Sequence, residues 1–135
     1  MVEMLGVYQG EKHCELSHGP SGTKISTDAP KDNAGRGEAF SPTDLVGAAL
    51  ASCILTTMAI VAERDGRDLK GAHFKVTKEM AANPRKIQKL TVALHLPAAF
   101  EAEYRKKMEH IALTCPVHRS LHPDVELPIS FHWVL

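Results

Sequence analysis

The stretch Leu45-Val46-Gly47-Ala48-Ala49-Leu50-Ala51-Ser52-Cys53-Ile54-Leu55-Thr56-Thr57-Met58-Ala59-Ile60-Val61-Ala62 decides the fold. It runs for 18 residues without a charge, which by length alone reaches the lower edge of what crosses a bilayer. Its alanines, together with Gly47, Ser52, Thr56 and Thr57, make it less apolar than a typical span. Asp44 precedes it and Glu63-Arg64-Asp65 follow at once. The segment therefore reads as a core helix buried almost all round. Its small residues let other elements approach closely. A helix that is apolar on every side needs cover on every side, and in so small a domain a second subunit is expected to supply part of it. The helix ends are marked. Ser41 suits the N-cap, Pro42 the first helical position and Asp44 the first turn. Gly66 suits the left-handed position just past the end.

Outward from the helix, the pattern changes from period 3.6 to period 2. Toward the N-terminus, short strands are expected at Leu5–Gln9, His13–Ser17 and Thr23–Thr27. The Gly19-Pro20-Ser21-Gly22 turn joins the last two, and a loop runs from Ala29 to Ala39. Toward the C-terminus, Ala72, Phe74, Val76 and Met80 keep mostly period-two spacing, which Lys78 breaks, and Leu90, Val92, Leu94 and Leu96 keep it cleanly, giving two strands joined around Asn83-Pro84. Phe100, Tyr104, Met108 and Ile111 form a helical stripe. A break at Thr114-Cys115-Pro116 opens a short helix to about Leu121. Val125, Leu127, Ile129, Phe131 and Trp133 alternate as a last strand, with Pro128 pointing to an edge position. The order predicts an α+β fold.

The length of 135 residues suits one domain spanning residues 1–135 with a core that needs no disulfide staples. Sixteen basic residues balance sixteen acidic ones, so neither a nucleic-acid footprint nor a polybasic membrane anchor is expected. Aromatic residues make up only 5%, which leaves little for base-stacking platforms. The opening Met1-Val2-Glu3-Met4-Leu5 lacks the basic and long apolar regions of a secretory signal. A cytoplasmic, reducing setting is expected, in which cysteine chemistry is catalytic or transient.

Three cysteines and one arginine carry the candidate chemistry. Cys53, in mid-helix, reads either as a small buried hydrophobe or as a reactive thiol. Cys115 stands at the start of the short helix, where unpaired N–H groups and the positive helix end favour a thiolate, with Arg119 one turn on. It reads equally well as a capping or packing residue. Cys115, His118 and His122 also have a spacing that suits three zinc ligands, although a structural site normally takes four. Cys14 looks incidental. Arg36, in Gly35-Arg36-Gly37-Glu38, is either a solvated charge or a mobile arginine that closes over a thiolate. The chain has no glycine-rich phosphate loop, no G-x-S-x-G elbow and no H-E-x-x-H.

Two of these stretches together resemble one family. Ser41-Pro42-Thr43-Asp44-Leu45-Val46-Gly47-Ala48-Ala49-Leu50-Ala51-Ser52-Cys53 resembles the central-helix motif of the OsmC/Ohr family. Thr114-Cys115-Pro116-Val117-His118-Arg119-Ser120-Leu121 resembles its second-cysteine motif. The resemblance implies antiparallel sheets around a long central helix in an intertwined homodimer. It implies a thiol-dependent peroxidase acting on small organic hydroperoxides, with Cys53 attacking the O–O bond and Cys115 resolving the sulfenic acid as a disulfide. A dithiol reductant, such as the lipoyl group of a carrier protein, then restores both thiols. No metal or other cofactor is implied. The family's arginine, for which Arg36 is the candidate here, is positioned by a glutamate near the start of the central helix. Thr43 stands at that glutamate's place, with Asp44 beside it. That departure supports an alternative: a non-catalytic dimeric module that binds a small apolar or thiol-reactive ligand.

Overall fold

The computed structural model describes residues 1–135. Two compact units, Met1–Val46 and Gly47–Leu135, make up the chain.

The first unit is an antiparallel meander of β1 (Met4–Tyr8), β2 (His13–His18) and β3 (Lys24–Asp28), in that spatial order. Each strand lies within one residue of its expected place. The turn at 19–22 uses the positive φ of Gly22 and fixes the register, pairing Ser17 with Lys24 and His13 with Asp28. The expected loop contains one 3-10 turn, Lys31–Asn33. The long helix α1 (Pro42–Arg64) then begins on a reciprocal cap. The Asp44 N–H donates to Ser41 Oγ at 3.1 Å, and the Ser41 N–H donates to the Asp44 carboxylate at 2.9 Å. This is a capping box with Asp in place of the usual Glu or Gln, and it satisfies two of the backbone donors at the helix start.

The second unit holds the rest of α1, β4 (His73–Ala81), β5 (Lys86–Leu96), α2 (Ala102–Ala112), α3 (Pro116–Ser120) and β6 (Ile129–Trp133). Helix α1 ends in a Schellman motif: Arg67 N–H bonds Ala62 O at 2.8 Å, Gly66 N–H bonds Glu63 O at 3.0 Å, and Gly66 has φ +72°. The sheet order is β4-β5-β6. The hairpin β4–β5 is antiparallel, but β6 runs parallel to β5, so this sheet is mixed rather than antiparallel throughout. The two helices between β5 and β6 form the crossover that lets the chain return in the same direction. Strand β6 takes the edge, as Pro128 indicated, and starts at Ile129 rather than Val125. Before it, only a single bridge joins Glu126 to Lys89.

Alternation along β5 builds the core. Leu90, Val92, Leu94 and Leu96 are fully buried, while Thr91, Ala93 and His95 face away. A β-carbon on Gly47 would sit 3.3 Å from Leu90 Cδ2 and 3.6 Å from Val76 Cγ2, so the glycine lets α1 lie close on this sheet. A single chain does not bury α1 all round. Within the chain it buries one stripe, Gly47, Leu50, Ala51, Ile54, Met58 and Ala62. Its other side stays open, with Ile60 48% exposed. The chain supplies cover for a single face only. By length and composition this is the one helix that could cross a membrane, but it buries a stripe of six residues inside the chain and lies close on the sheet at Gly47.

Helix α2 buries Tyr104, Met108 and Ala112 and is tied to the end of α1 by charge. Tyr104 Oη donates to Asp65 at 2.9 Å and Lys107 Nζ at 2.7 Å. Arg67 holds Glu101 with two bonds of 2.9 and 2.6 Å and lies 3.7 Å over the Tyr104 ring. The Lys107 and Tyr104 hydrogen bonds hold the Asp65 carboxyl below the usual range. Arg67 brings Glu101 down to about 2.

Candidate active site

The two cysteines of interest come together inside one chain, in the second unit. Cys53 lies in the middle of α1 and is partly exposed. Cys115 stands at a short break between α2 and α3, near enough to Cys53 to interact with it. Thr114 ends α2, its N–H and its Oγ1 both donating to Ile111 O at 2.9 and 2.7 Å. Pro116 then fixes the first position of α3. Cys115 is left as the N-cap, its sulfur accepting the His118 N–H at 3.2 Å.

Cys115 is fully buried, and its thiol lies above the usual cysteine range. Burial is the largest cause. The His118 and Val117 N–H groups pull the other way, as the helix-end reading anticipated, but they do not win. The neighbouring Cys53 adds to the rise. The expectation that the helix start would favour a Cys115 thiolate is therefore corrected. The helix amides are outweighed by the loss of water around the sulfur, and Cys115 is held as a neutral thiol.

The zinc reading of the short helix is not realised as a site: no group of three His, Cys, Asp or Glu side chains is placed to hold a metal ion. His118 is used through its backbone. His122 is exposed and accepts the Asp124 N–H at its Nδ1, 3.1 Å away.

The remaining candidates lie in the first unit. The Thr43 hydroxyl is 3.2 Å from Ser41 Oγ and Asp44 serves the capping box, so both support the start of the helix that carries Cys53. Arg36 is held by two carboxylates: Nη1 is 3.2 Å from Glu11 and Nη2 3.5 Å from Asp28. Asp28 is the residue that sequence reading missed. It is 1% exposed and accepts from His13 Nδ1 at 2.6 Å and from the Glu38 N–H at 3.1 Å. The His13 bond holds it below the usual carboxylate range despite the opposing effect of burial. The turn at 19–22 carried the signal, because it sets the pairing of His13 with Asp28. Cys14 sits on β2 opposite Tyr8 and Thr27 and is a free thiol.

The OsmC-like protein family matches residues 35–130. The chain belongs to this family. The match opens near Arg36 and runs through both cysteine motifs. Among solved structures, the chain is similar to an osmotic-stress and detoxification-response protein of Psychrobacter arcticus 273-4, at 41% identity and TM-score 0.93, covering 98% of this chain and 96% of that one. It shares its fold with the organic hydroperoxide resistance protein OsmC of Legionella pneumophila, at 21% identity and TM-score 0.74, over 98% and 96% of the two chains. It also shares it with an OsmC-like protein of Mycoplasma pneumoniae, at 16% identity and TM-score 0.79, over 97% and 95%. No curated protein matches the chain. These likenesses agree with the α+β reading of two sheets and a long helix.

Proposed function

We propose that this OsmC-family chain is a thiol-dependent peroxidase that reduces small organic hydroperoxides. The single observation that carries the reading is the Cys53–Cys115 pair, two free thiols close enough for Cys53 to raise the Cys115 thiol. In the proposed cycle the Cys53 thiolate attacks the outer peroxide oxygen. The O–O bond breaks, the alkoxide leaves as the alcohol after taking a proton, and Cys53 becomes a sulfenic acid. The Cys115 thiol then condenses with that sulfenic acid, forming the disulfide and releasing water before over-oxidation occurs. An external dithiol accepts the oxidation and restores both thiols. The burial of Cys115 supports this order. A neutral, water-excluded thiol is a poor first nucleophile, but it stands next to the sulfur it has to trap.

A homodimer belongs to the same proposal. The open side of α1 and the exposed apolar residues of β1, among them Leu5 at 65% and Val7 at 64%, are surface that a second copy would bury. The cytoplasm is the proposed setting, because the cycle needs a reducing supply of dithiol.

The test is consumption of cumene hydroperoxide in the presence of dithiothreitol, beside Cys53→Ser. The proposal requires wild type to turn over and the variant to fall to the uncatalysed rate. Equal rates sink it. One observation favours a second reading. Thr43 offers no carboxylate at the family glutamate's place, and Arg36 is engaged by Glu11 and Asp28. In that reading the chain binds an apolar or thiol-reactive ligand without turnover. A small molecule retained through purification, with Cys53 unchanged by peroxide, would establish it.

A further inference from the structure

The two cysteines differ in what can reach them. Cys53 lies one residue before Ile54 and so about 100° round the helix from the middle of the buried stripe. Its neighbours on that side of α1 are Ala49 and Thr56, about one turn away in each direction, and both are exposed. Two short side chains beside a partly exposed sulfur leave a way in for a small molecule. Cys115 is fully buried. Pro116 and the tie from Thr114 to Ile111 O fix the chain on either side of it, and the His118 N–H donates to its sulfur at 3.2 Å.

A disulfide between them offers two sulfurs, and an external thiolate attacks one of them. The displacement is in line, so the nucleophile must reach the far side of the sulfur it attacks. We propose that the reductant attacks Cys53 and that Cys115 leaves first, its departing charge met by the His118 backbone N–H. The inference rests on the Cys53–Cys115 disulfide of the proposed cycle. The opening that admits a hydroperoxide to Cys53 also admits the thiol. A bond forms between the reductant sulfur and Cys53, the Cys53–Cys115 bond breaks, and its electron pair stays on Cys115, which takes a proton. The second thiolate of the dithiol then attacks the reductant sulfur bound to Cys53. That step closes the reductant's own disulfide and frees Cys53 as the thiolate. One dithiol is oxidised and one protein disulfide is reduced.

Leaving-group chemistry pulls the other way. A thiol that holds its proton tightly leaves slowly, and burial gives Cys115 that character. Two features limit the penalty. The share of the rise that Cys53 adds is absent in the mixed disulfide, where Cys53 has neither a thiol proton nor a charge. The His118 N–H already points at the sulfur, so the developing charge meets a donor that does not have to move. Access then decides. A slow leaving group reduces a rate, whereas a sulfur with no exposed surface offers no line of attack.

The test starts from the disulfide made with diamide, which needs no peroxidase activity. Oxidised protein is mixed with excess 2-mercaptoethanol, quenched with acid at successive times, alkylated with N-ethylmaleimide and mapped by peptide digestion. The singly reduced species should carry mercaptoethanol on Cys53 and maleimide on Cys115. If Cys115 closes the disulfide again before capture, the single-cysteine variants decide. Hydroxyethyl disulfide should modify Cys53 in Cys115→Ser roughly tenfold or more faster than Cys115 in Cys53→Ser, with circular dichroism checking each fold. His118→Pro removes the N–H within the first helical turn, where proline is tolerated, and should slow reduction by dithiothreitol several-fold, whereas His118→Ala should not. Equal reduction of those two variants overturns the role given to the amide. Mercaptoethanol on Cys115, equal modification of the two single-cysteine variants, or no Cys53–Cys115 disulfide with diamide overturns the attack on Cys53. A disulfide formed by diamide but not by hydroperoxide sinks the peroxidase reading alone, and the mapping still decides which sulfur is attacked.

Discussion

Replacing Ile60 on the open side of α1 separates a helix that ends its packing within one chain from a helix shared by two. Full burial of an Ile side chain contributes ~1.5–3 kcal/mol. Ile60 is 48% exposed, so about half of that remains to be gained when a second copy covers it. Ile60→Ala should then cost about 1 kcal/mol per subunit of association energy, and the two-fold symmetry of a homodimer doubles it. The expected shift of about 2 kcal/mol corresponds to roughly a 30-fold rise in the dimer Kd. Ile60→Asp, which would place a charge in that contact, should give monomers. The assay is sedimentation velocity over a dilution series, with unfolding measured at the same concentrations. Met58→Ala is the control. Met58 is fully buried within the chain, so this change should cost ~2–5 kcal/mol of folding stability whatever the oligomeric state. A monomeric wild type, or an Ile60→Asp variant that dimerises as well as wild type, would refute the reasoning.

Other expectations follow from the same geometry. Ser41→Ala removes the hydroxyl that accepts the Asp44 N–H and should lower stability by about 1 kcal/mol in urea unfolding. On the acid side, Asp65 and Glu101 have folded-state values below their unfolded ones. Their contribution is therefore fully present above the ordinary carboxylate range and is lost as pH falls toward about 2. Unfolding midpoints should drop over that window, and Arg67→Ala should flatten the part owed to Glu101. Burial holds Cys115 protonated, so iodoacetamide should label Cys53 before Cys115 at neutral pH. Peptide mapping that finds Cys115 labelled first would contradict this.

Much of the fold was legible because local chemistry and global packing agree. The caps at Ser41-Pro42 and Gly66 bracket α1 to the residue, since helix ends are specified by side chains within a few positions. The alternation of Leu90 to Leu96 named the inner face of β5 for the same kind of reason. The parallel pairing of β6 was not legible, because direction depends on the path of the crossover and not on the strand's own residues. Which face of α1 the chain covers was not legible, because composition reports how apolar a helix is and not which stripe its own sheet meets. At the candidate site, the cysteines were visible as motifs, but their proximity was not. The charge state of Cys115 was misjudged from local dipoles, which favour the thiolate, because burial cannot be read from a five-residue helix. Asp28 escaped notice because its burial is produced by long-range pairing with His13 and contact with Arg36.

The central claim is that Cys53 and Cys115 form one redox unit. Intact mass spectrometry of reduced protein, treated with one equivalent of cumene hydroperoxide and mapped by peptide digestion, tests it most directly. The account predicts a loss of two hydrogens and a single Cys53–Cys115 disulfide. An unchanged mass would contradict it, as would oxygen added to Cys53 with Cys115 left as a free thiol.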